Sequence, residues 1–598
     1  MKLPSIIEKT DTLVVLFGLS FVVFGWFALS LTLASLFLFP LLSVGMALTG
    51  ALALFTLGKL LARAPNDLRF VIIVALLYAT YIGVVSEPTL FSGRDQGSIA
   101  EAAFRLAHNS ELAFATPASD SFFQIYGPGT ALNFPGFAYT KEGYLLTQFP
   151  LGYTAWLASF VALFGLAGYA IGNALLLFLF LLSLYALLRL FVHPFYALAG
   201  FGLALFSFLP SWFAKFTLTE NFGVFLFTFL AFNIILFFKE EKFLSYAAVL
   251  LTATLFAFTR IEGFAFLFLA LILLLLHPKA RALIKAKPWK HALIPGAVFI
   301  FFFLRDFFIN LPYYIMIGKA LLKFVHGTAG SSAVANTSSL PLAAVFFLYG
   351  FLLLFLVGLF GLIVFIKEKR YLFLLPAFLT LPVFLYLFQP NISLDHPWML
   401  RRYLFSLYPA LLVSAVLCLA LLLSKGRTLP LEPPTGKKLF LATIIFSGLL
   451  FLQLPAWSTA LPYAENRGLL KQVETFASDF SDHDLILVDR MATGNGFSML
   501  SGPMQFLYGK NAVYFFNPYD LDALDTHAFD HVYLLVPDEM EGRYAALFGK
   551  RLILKKPISF SLSQFENVSL HGIDAFRLPA KTTITTHDLL FQLSPPAL

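Results

Sequence analysis

Two acidic residues stand where they could take a proton from a hydroxyl, and arginines placed further along the chain could hold a phosphate. The first acid, Asp95, lies in FSGRDQGSIAEAAFRLAHNSELAF, with Arg94 before it, Gln96 after it and glycines at 93 and 97 on either side. A carboxylate held beside a guanidinium can act as a general base, or ligate a metal, as long as it stays ionised. Asp is also a frequent helix N-cap. The helical pattern that follows, with Ala102, Ala103, Leu106 and Ala107, leaves that plainer role open. The second acid, Glu220, comes with Lys215 in KFTLTENFG, at the head of a long apolar run. Ionisable groups so close to a membrane helix are costly unless paired or functional. A snorkelling Lys and a solvated Glu would leave the same trace in sequence.

The cations are Arg260 in FTRIEGF, Arg305 before Asp306, and Arg401 with Arg402 directly after DHPWML. A guanidinium offers forked donors that match a phosphate, so these arginines suggest an anionic ligand. Membrane headgroups are the rival account of any single one. His396, beside Asp395 and close to Trp398, has the chemistry of a ligand, although a lone His there is more often a residue of the bilayer boundary. Arg94, Gln96, Lys215, Arg260, Arg401, Arg402 and His396 form the candidate substrate and phosphate set, and Asp95 with Glu220 the candidate catalytic pair. No HExxH, Walker loop, CxxC or serine nucleophile motif is present. No motif therefore demands a cofactor, and a divalent metal on Asp95 and Glu220 is the one candidate.

The elements that must position these residues are membrane helices. Of 598 residues, 59% are hydrophobic and 12% charged, against roughly 25% charged in a soluble domain. Between Asp11 and Lys59 lie 47 residues without a charge, and between Glu142 and Arg189 lie 46. About 20 apolar residues cross the hydrocarbon core as a helix, so each run holds two passes. The alternation of an outer-membrane barrel is missing. Thirteen spans are predicted, near 12–37, 39–58, 70–87, 168–188, 195–211, 219–238, 243–259, 261–277, 292–309, 341–366, 371–388, 402–424 and 439–457. With the N-terminus cytoplasmic, the loops on its side hold 20 Lys and Arg and the opposite loops 10, the C-terminal region aside, in keeping with the positive-inside rule. Residues 149–166 are apolar enough to cross but would invert that bias, so they are expected to lie along or dip into the outer face.

The expected fold class is thus an all-α polytopic membrane domain followed by a small α/β domain. The first covers 1–462, with a large outward loop at 88–148 and a flexible one at 310–340. The second covers 463–598 on the same, extracytoplasmic side. It holds 16 Asp and Glu against 11 Lys and Arg, although the whole chain carries +8, and short runs such as DLILVD, NAVYFF and HVYLLV read as strands. Its GNG at 494–496 reads as a turn. Basic residues of the membrane part sit at helix ends and not in a stripe, which argues against nucleic acid as a partner. Cys418 stands alone, so no intrachain disulfide can form.

In order, the GRDQG step, FPLGYTAWLASFVALFG, the TLTEN step, the TRIEG break, the basic loop at 279–290 and HPWMLRRYLFSLYP resemble the GT-C superfamily of polytopic glycosyltransferases. That superfamily includes the protein O-mannosyltransferases and the bacterial aminoarabinose transferase that modifies lipid A. The resemblance covers most of residues 70–460 and consists of architecture plus scattered short motifs. It implies a catalytic base or metal ligand at Asp95, a second acid at Glu220, and a polyprenyl-phosphate sugar donor whose phosphate meets Arg260, Arg401 and Arg402. The acceptor would be a lipid, glycan or protein, and the chain would lie in the plasma or inner membrane among its lipids. Two N-terminal spans are added ahead of the usual single helix that leads into the loop, which shifts helix numbering and preserves orientation. The alternative class is a secondary transporter or flippase of lipid-linked glycans, which would place its charges near mid-membrane. A third is an assembly protein without catalysis, working through its C-terminal domain. Convergence of Asp95 and Glu220 on one site separates the enzyme from both.

Overall fold

Long apolar runs become helices because a helix satisfies its own backbone where water is absent. The computed structural model describes residues 6–92, 94–286, 289–309, 339–384, 395–424, 429–569 and 576–594, with isolated positions between 311 and 319. Among them, six helices are long and apolar enough to cross a membrane: Thr10–Leu33, Phe39–Arg63, Asn66–Val85, Ala167–Arg189, Thr219–Glu240 and Lys437–Ala460. Two pairs, Leu342–Leu348 with Leu352–Lys367 and Trp398–Leu404 with Leu407–Leu423, are bent by 111° and 60°. Counting each pair as one span gives up to eight crossings. The other predicted spans are shorter helices (Pro194–Leu205, Phe243–Ala257, Gly263–Leu276), the 21-residue helix Trp289–Ile309, and short helical turns between Tyr371 and Phe384. Residues 385–388 and nearly all of the 310–340 loop lie outside the described residues.

The segment expected at the outer face is Leu151–Phe164, 14 residues long. It does not lie along a surface: Tyr153, Trp156 and Leu157 are fully buried, packed among Ile6–Leu33, Ala167–Arg189 and the loop helix Asp95–Asn109. The centre of the bundle is Thr219–Glu240 with Ala167–Arg189, 94% and 83% buried over their apolar windows. Phe39–Arg63 and Lys437–Ala460 are only 17% and 28% buried, and their exposed Leu54, Phe55, Phe440 and Phe451 form a rim suited to lipid. The 111° bend has a local cause. Gly350 sits at φ +78, and a Cβ there would stand 2.4 Å from the Leu452 carbonyl oxygen.

The 88–148 loop folds into helices Asp95–Asn109 and Pro117–Tyr126 and a three-stranded sheet of Gly129–Thr130, Phe137–Tyr139 and Leu145–Thr147. Beyond the last membrane helix, a five-stranded sheet runs in the order Asn511–Phe515, Leu485–Asp489, Val532–Pro537, Lys581–Leu593, Leu552–Phe565. The first three strands are parallel and the last two antiparallel. This sheet docks on the loop. Asn133 Nδ2 donates to the Tyr514 carbonyl at 2.9 Å, Ser121 Oγ to that of Asp525 at 2.9 Å, and Phe137 stacks on Phe506. Glu101, fully buried in the same interface, accepts a hydrogen bond from Ser92 Oγ. Burial pushes its carboxyl well above the usual range.

The Asp95 helix begins tightly against the chain that leads into it, since a Cβ on Gly97 would stand 1.6 Å from the Phe91 carbonyl oxygen. Gly97→Ala is expected to cost at least the 1–3 kcal/mol typical of overpacking, roughly estimated, read as a lower melting temperature in detergent. Gly50→Ala, where a new Cβ meets nothing within 4 Å, should leave melting unchanged.

Candidate active site

The two acidic steps are drawn together by backbone clamps that neither motif reveals alone. Thr217, in the TLTEN step, donates to the Gln96 carbonyl at 2.5 Å and contacts Thr89 at 2.8 Å. Asn221 Nδ2 donates to the Phe213 and Phe216 carbonyls, and Asn173 Nδ2 to that of Phe216, while Tyr153 holds Asn173 at 2.6 Å. The Gly152 N–H donates to the Phe258 carbonyl at 2.8 Å, so the FPLGYT segment carries the TRIEG break. Four short motifs, far apart in sequence, thereby share one end of the bundle.

On this frame sit two ion pairs. Asp95 is the first residue of its helix and not the cap; Arg94 occupies the N-cap without a side-chain capping bond. The Asp95 carboxylate instead meets Arg401 Nη2 at 2.6 Å, 44% exposed against 15% for the arginine. Glu220, 5% exposed, meets Arg260 Nη1 at 3.2 Å. Arg260 also bonds Thr219 Oγ1 at 2.7 Å and Glu262 at 3.1 Å, and lies 4.0 Å over the Phe405 ring. Arg401 is close enough to Glu220 and Arg260 to interact electrostatically with both, and Arg402 does so with Glu220. Asp95, Arg401, Arg402, Arg260 and Glu220 therefore form one charged cluster, with an accessible carboxylate at its mouth and an enclosed one behind.

Other candidates are placed elsewhere. Lys215 is buried and donates to the carbonyls of Ala460, Leu461 and Tyr463 at 2.8, 2.6 and 2.8 Å. Its three N–H groups cap the end of a membrane helix and leave nothing for a phosphate. His396 is fully buried, with Nδ1 3.2 Å from Tyr349 Oη and its backbone paired to Val568. Burial lowers its pKa to about 4, and a neutral imidazole gives no charge to an anion. As for a divalent metal, Asp95 and Glu220 each face a guanidinium, and the described residues contain no group of three or more His, Cys, Asp or Glu able to hold one.

Arg94 and Gln96 turn into a neighbouring cleft shared with the C-terminal domain, lined also by Trp398, Glu465, Asn495 and Phe497. Arg94 lies 4.7 Å from both the Trp398 and the Phe497 ring centres and 3.5 Å from Asp395. Gln96 Oε1 and Asn466 Oδ1 are buried here without a hydrogen-bond partner. The GNG stretch is a turn, with Gly494 and Gly496 at φ +70 and +71, and it delivers Asn495 to the cleft. Motif reading had no means of finding Glu465, Asn495 or Phe497, because a lone residue some 400 positions from Asp95 carries no local signal.

Solved structures similar to this chain include two GT-C glycosyltransferases. They include ArnT from Cupriavidus metallidurans in the apo state, 11% identical over 88% of this chain and 97% of that one, with a TM-score of 0.45. The same protein bound to undecaprenyl phosphate gives 10%, 88%, 98% and 0.46. The Archaeoglobus fulgidus oligosaccharyltransferase in the apo form gives 12%, 80%, 71% and 0.49. No protein-family model and no curated protein matches the chain. At these identities and scores the roles of single residues rest on the geometry of this chain.

Removing one partner from a buried pair leaves an uncompensated charge, at a cost of about 3–5 kcal/mol. Arg260→Met is expected to destabilise by that order, and Glu220→Gln added to it to restore part of the loss, both read by denaturation. Glu465, buried and bonded to the Phe565 N–H at 2.9 Å, has its pKa raised by burial to about 7 from 4.5, with Phe565 and Arg94 pulling it back. Between those values the folded chain keeps a proton that the unfolded chain has lost. The contribution is full below 4.5 and is lost as pH rises towards 7. Melting curves of Glu465→Gln should lose this part of the decline across that window.

Proposed function

We propose that the chain transfers a sugar from a polyprenyl-phosphate donor to an acceptor hydroxyl at the extracytoplasmic face of the membrane. The observation that carries the reading is the Asp95–Arg401 pair, an accessible carboxylate bonded at 2.6 Å to an arginine backed by Arg402 and the Arg260–Glu220 pair. A donor phosphodiester carries one negative charge, as the carboxylate does, and takes over the forked donors of Arg401, and the second charge that forms on the leaving phosphate falls to Arg401 and Arg402 together. Asp95, released, accepts the proton of the acceptor hydroxyl as that oxygen attacks the anomeric carbon. The bond from that carbon to the phosphate oxygen breaks, and the oxygen keeps the electron pair beside Arg401 and Arg402. Glu220 is a positioning residue, because its enclosure on Arg260 keeps it from substrate and fixes the inner guanidinium.

The cleft beside Arg94 gives the acceptor its path, with amides to bond hydroxyls and Trp398 and Phe497 as apolar walls. Supporting the orientation are the charge bias of the loops and the shared side of the 88–148 loop and the C-terminal sheet. Thirteen crossings with a cytoplasmic N-terminus remain part of this proposal, as does residence in the plasma or inner membrane. A transporter would need its ionisable residues at mid-helix, whereas Glu220 opens its helix and Asp95 precedes the bundle's centre on a separate loop helix.

Purified protein incubated with a panel of polyprenyl-phosphate sugars should release polyprenyl phosphate from one of them. Release from none, with acceptors supplied, would overturn the reading. Asp95→Asn is expected to lower kcat by about 10²- to 10⁴-fold, the usual worth of a general base. Full transfer by that variant would remove Asp95 from the role. Arg401→Ala should raise KM for the donor as well, and an unchanged KM would remove the phosphate contact.

A further inference from the structure

We infer that the end of the bundle opposite the Asp95 cluster holds a site for a zwitterionic phospholipid headgroup, an ammonium joined to a phosphate. The Thr219–Glu240 helix carries Glu220 at its first turn and Glu240 at its last, about 30 Å apart at 1.5 Å per residue. Around Glu240 opens a second cavity of about 200 Å³. Its walls are apolar (Val14, Leu68, Leu190, Leu236), and its polar groups are Asp11, Asp67, Arg189, Lys239 and Glu240.

These groups are arranged and not scattered. Asp67 accepts Arg189 Nε at 3.1 Å and the Tyr185 hydroxyl, and Arg189 Nη1 donates to the Val192 carbonyl at 3.0 Å. The guanidinium is thereby fixed with Nη2 unassigned. Lys239 Nζ donates to the Leu190 carbonyl and keeps two further N–H groups. Glu240 is paired to Lys242 at 2.8 Å. The Asp11 carboxylate, within electrostatic reach of Glu240, Arg189 and Lys239, has no hydrogen bond or ion pair among the described residues. Two helices, Ala167–Arg189 and Thr219–Glu240, also end here, and their negative dipole ends favour a cation.

A simple cation would meet Arg189 and Lys239, and a simple anion would meet Asp11 and Glu240. A ligand carrying both signs satisfies both pairs, its phosphate on Arg189 and Lys239 and its primary ammonium on Asp11. The apolar walls give its acyl chains a place that a soluble zwitterion would not use. The reading is independent of the transfer chemistry at the other end of the bundle.

The full chain in detergent would be titrated with dihexanoyl phosphatidylethanolamine, phosphatidylcholine and phosphatidylglycerol and with soluble phosphoethanolamine, binding being read by native mass spectrometry. The ethanolamine lipid is expected to bind about ten-fold or more tightly than the other two lipids, since only it offers ammonium N–H donors and a phosphate together. Asp11→Asn and Lys239→Gln should each reduce that preference by a similar factor. Equal binding of the three lipids overturns the proposal using unaltered protein alone, so it stands testable even if a variant fails to fold. An ethanolamine preference that survives both variants also overturns it. Soluble phosphoethanolamine binding as tightly as the lipid would overturn the assignment to a lipid.

Discussion

Taking a guanidinium out of water costs several kcal/mol unless carboxylates meet it, and Arg260 is met by two, Glu220 and Glu262. The Asp95 end of the bundle is organised around keeping that charge matched. The chain breaks at TRIEG to admit the arginine, Thr219 turns its hydroxyl to it, and Phe405 covers its face. With the inner pair closed, Arg401 is left to the more accessible Asp95, which meets it at 2.6 Å. The order of enclosure, from Glu220 to Asp95, separates the carboxylate that supports the structure from the one that can touch a substrate.

Much of this was legible before any coordinates. A 47-residue stretch without charge has few fates in water, so the helices at 10–33 and 39–63 follow from hydropathy alone. Asp95, Glu220, Arg260 and Arg401 stood out because a charge beside an apolar run demands an explanation, and the structure joins them in one cluster. Lys215 stood out for the same reason and has a different answer. Sequence shows that an ammonium lies near a helix end but not that three carbonyls at and just beyond the end of another helix will surround it. The membrane count was hardest to read, because hydropathy registers apolar residues without registering bends. The turn at Gly350 depends on a backbone contact with Leu452 from a helix a hundred residues away.

The second domain is bound to the first by neutral and charged contacts alike. Glu101 buries its carboxyl where Gly502 leaves no room for a side chain, since a Cβ there would stand 1.9 Å from Glu101 Oε1. Asp395 and His396 add a short strand to Val568 and Ser569. The cleft with its unpaired amides thus belongs to neither part alone, and its shape is set by how the sheet rests on the loop.

Lys215 gives that union a consequence for anyone dividing the molecule. Two of its acceptors, Ala460 and Leu461, precede the compositional boundary at 462, and the third, Tyr463, follows it. A cut made there for crystallisation would strand an ammonium one carbonyl short inside protein and open the floor beneath Trp212 and Phe565. The place where composition changes is a weld and not a hinge.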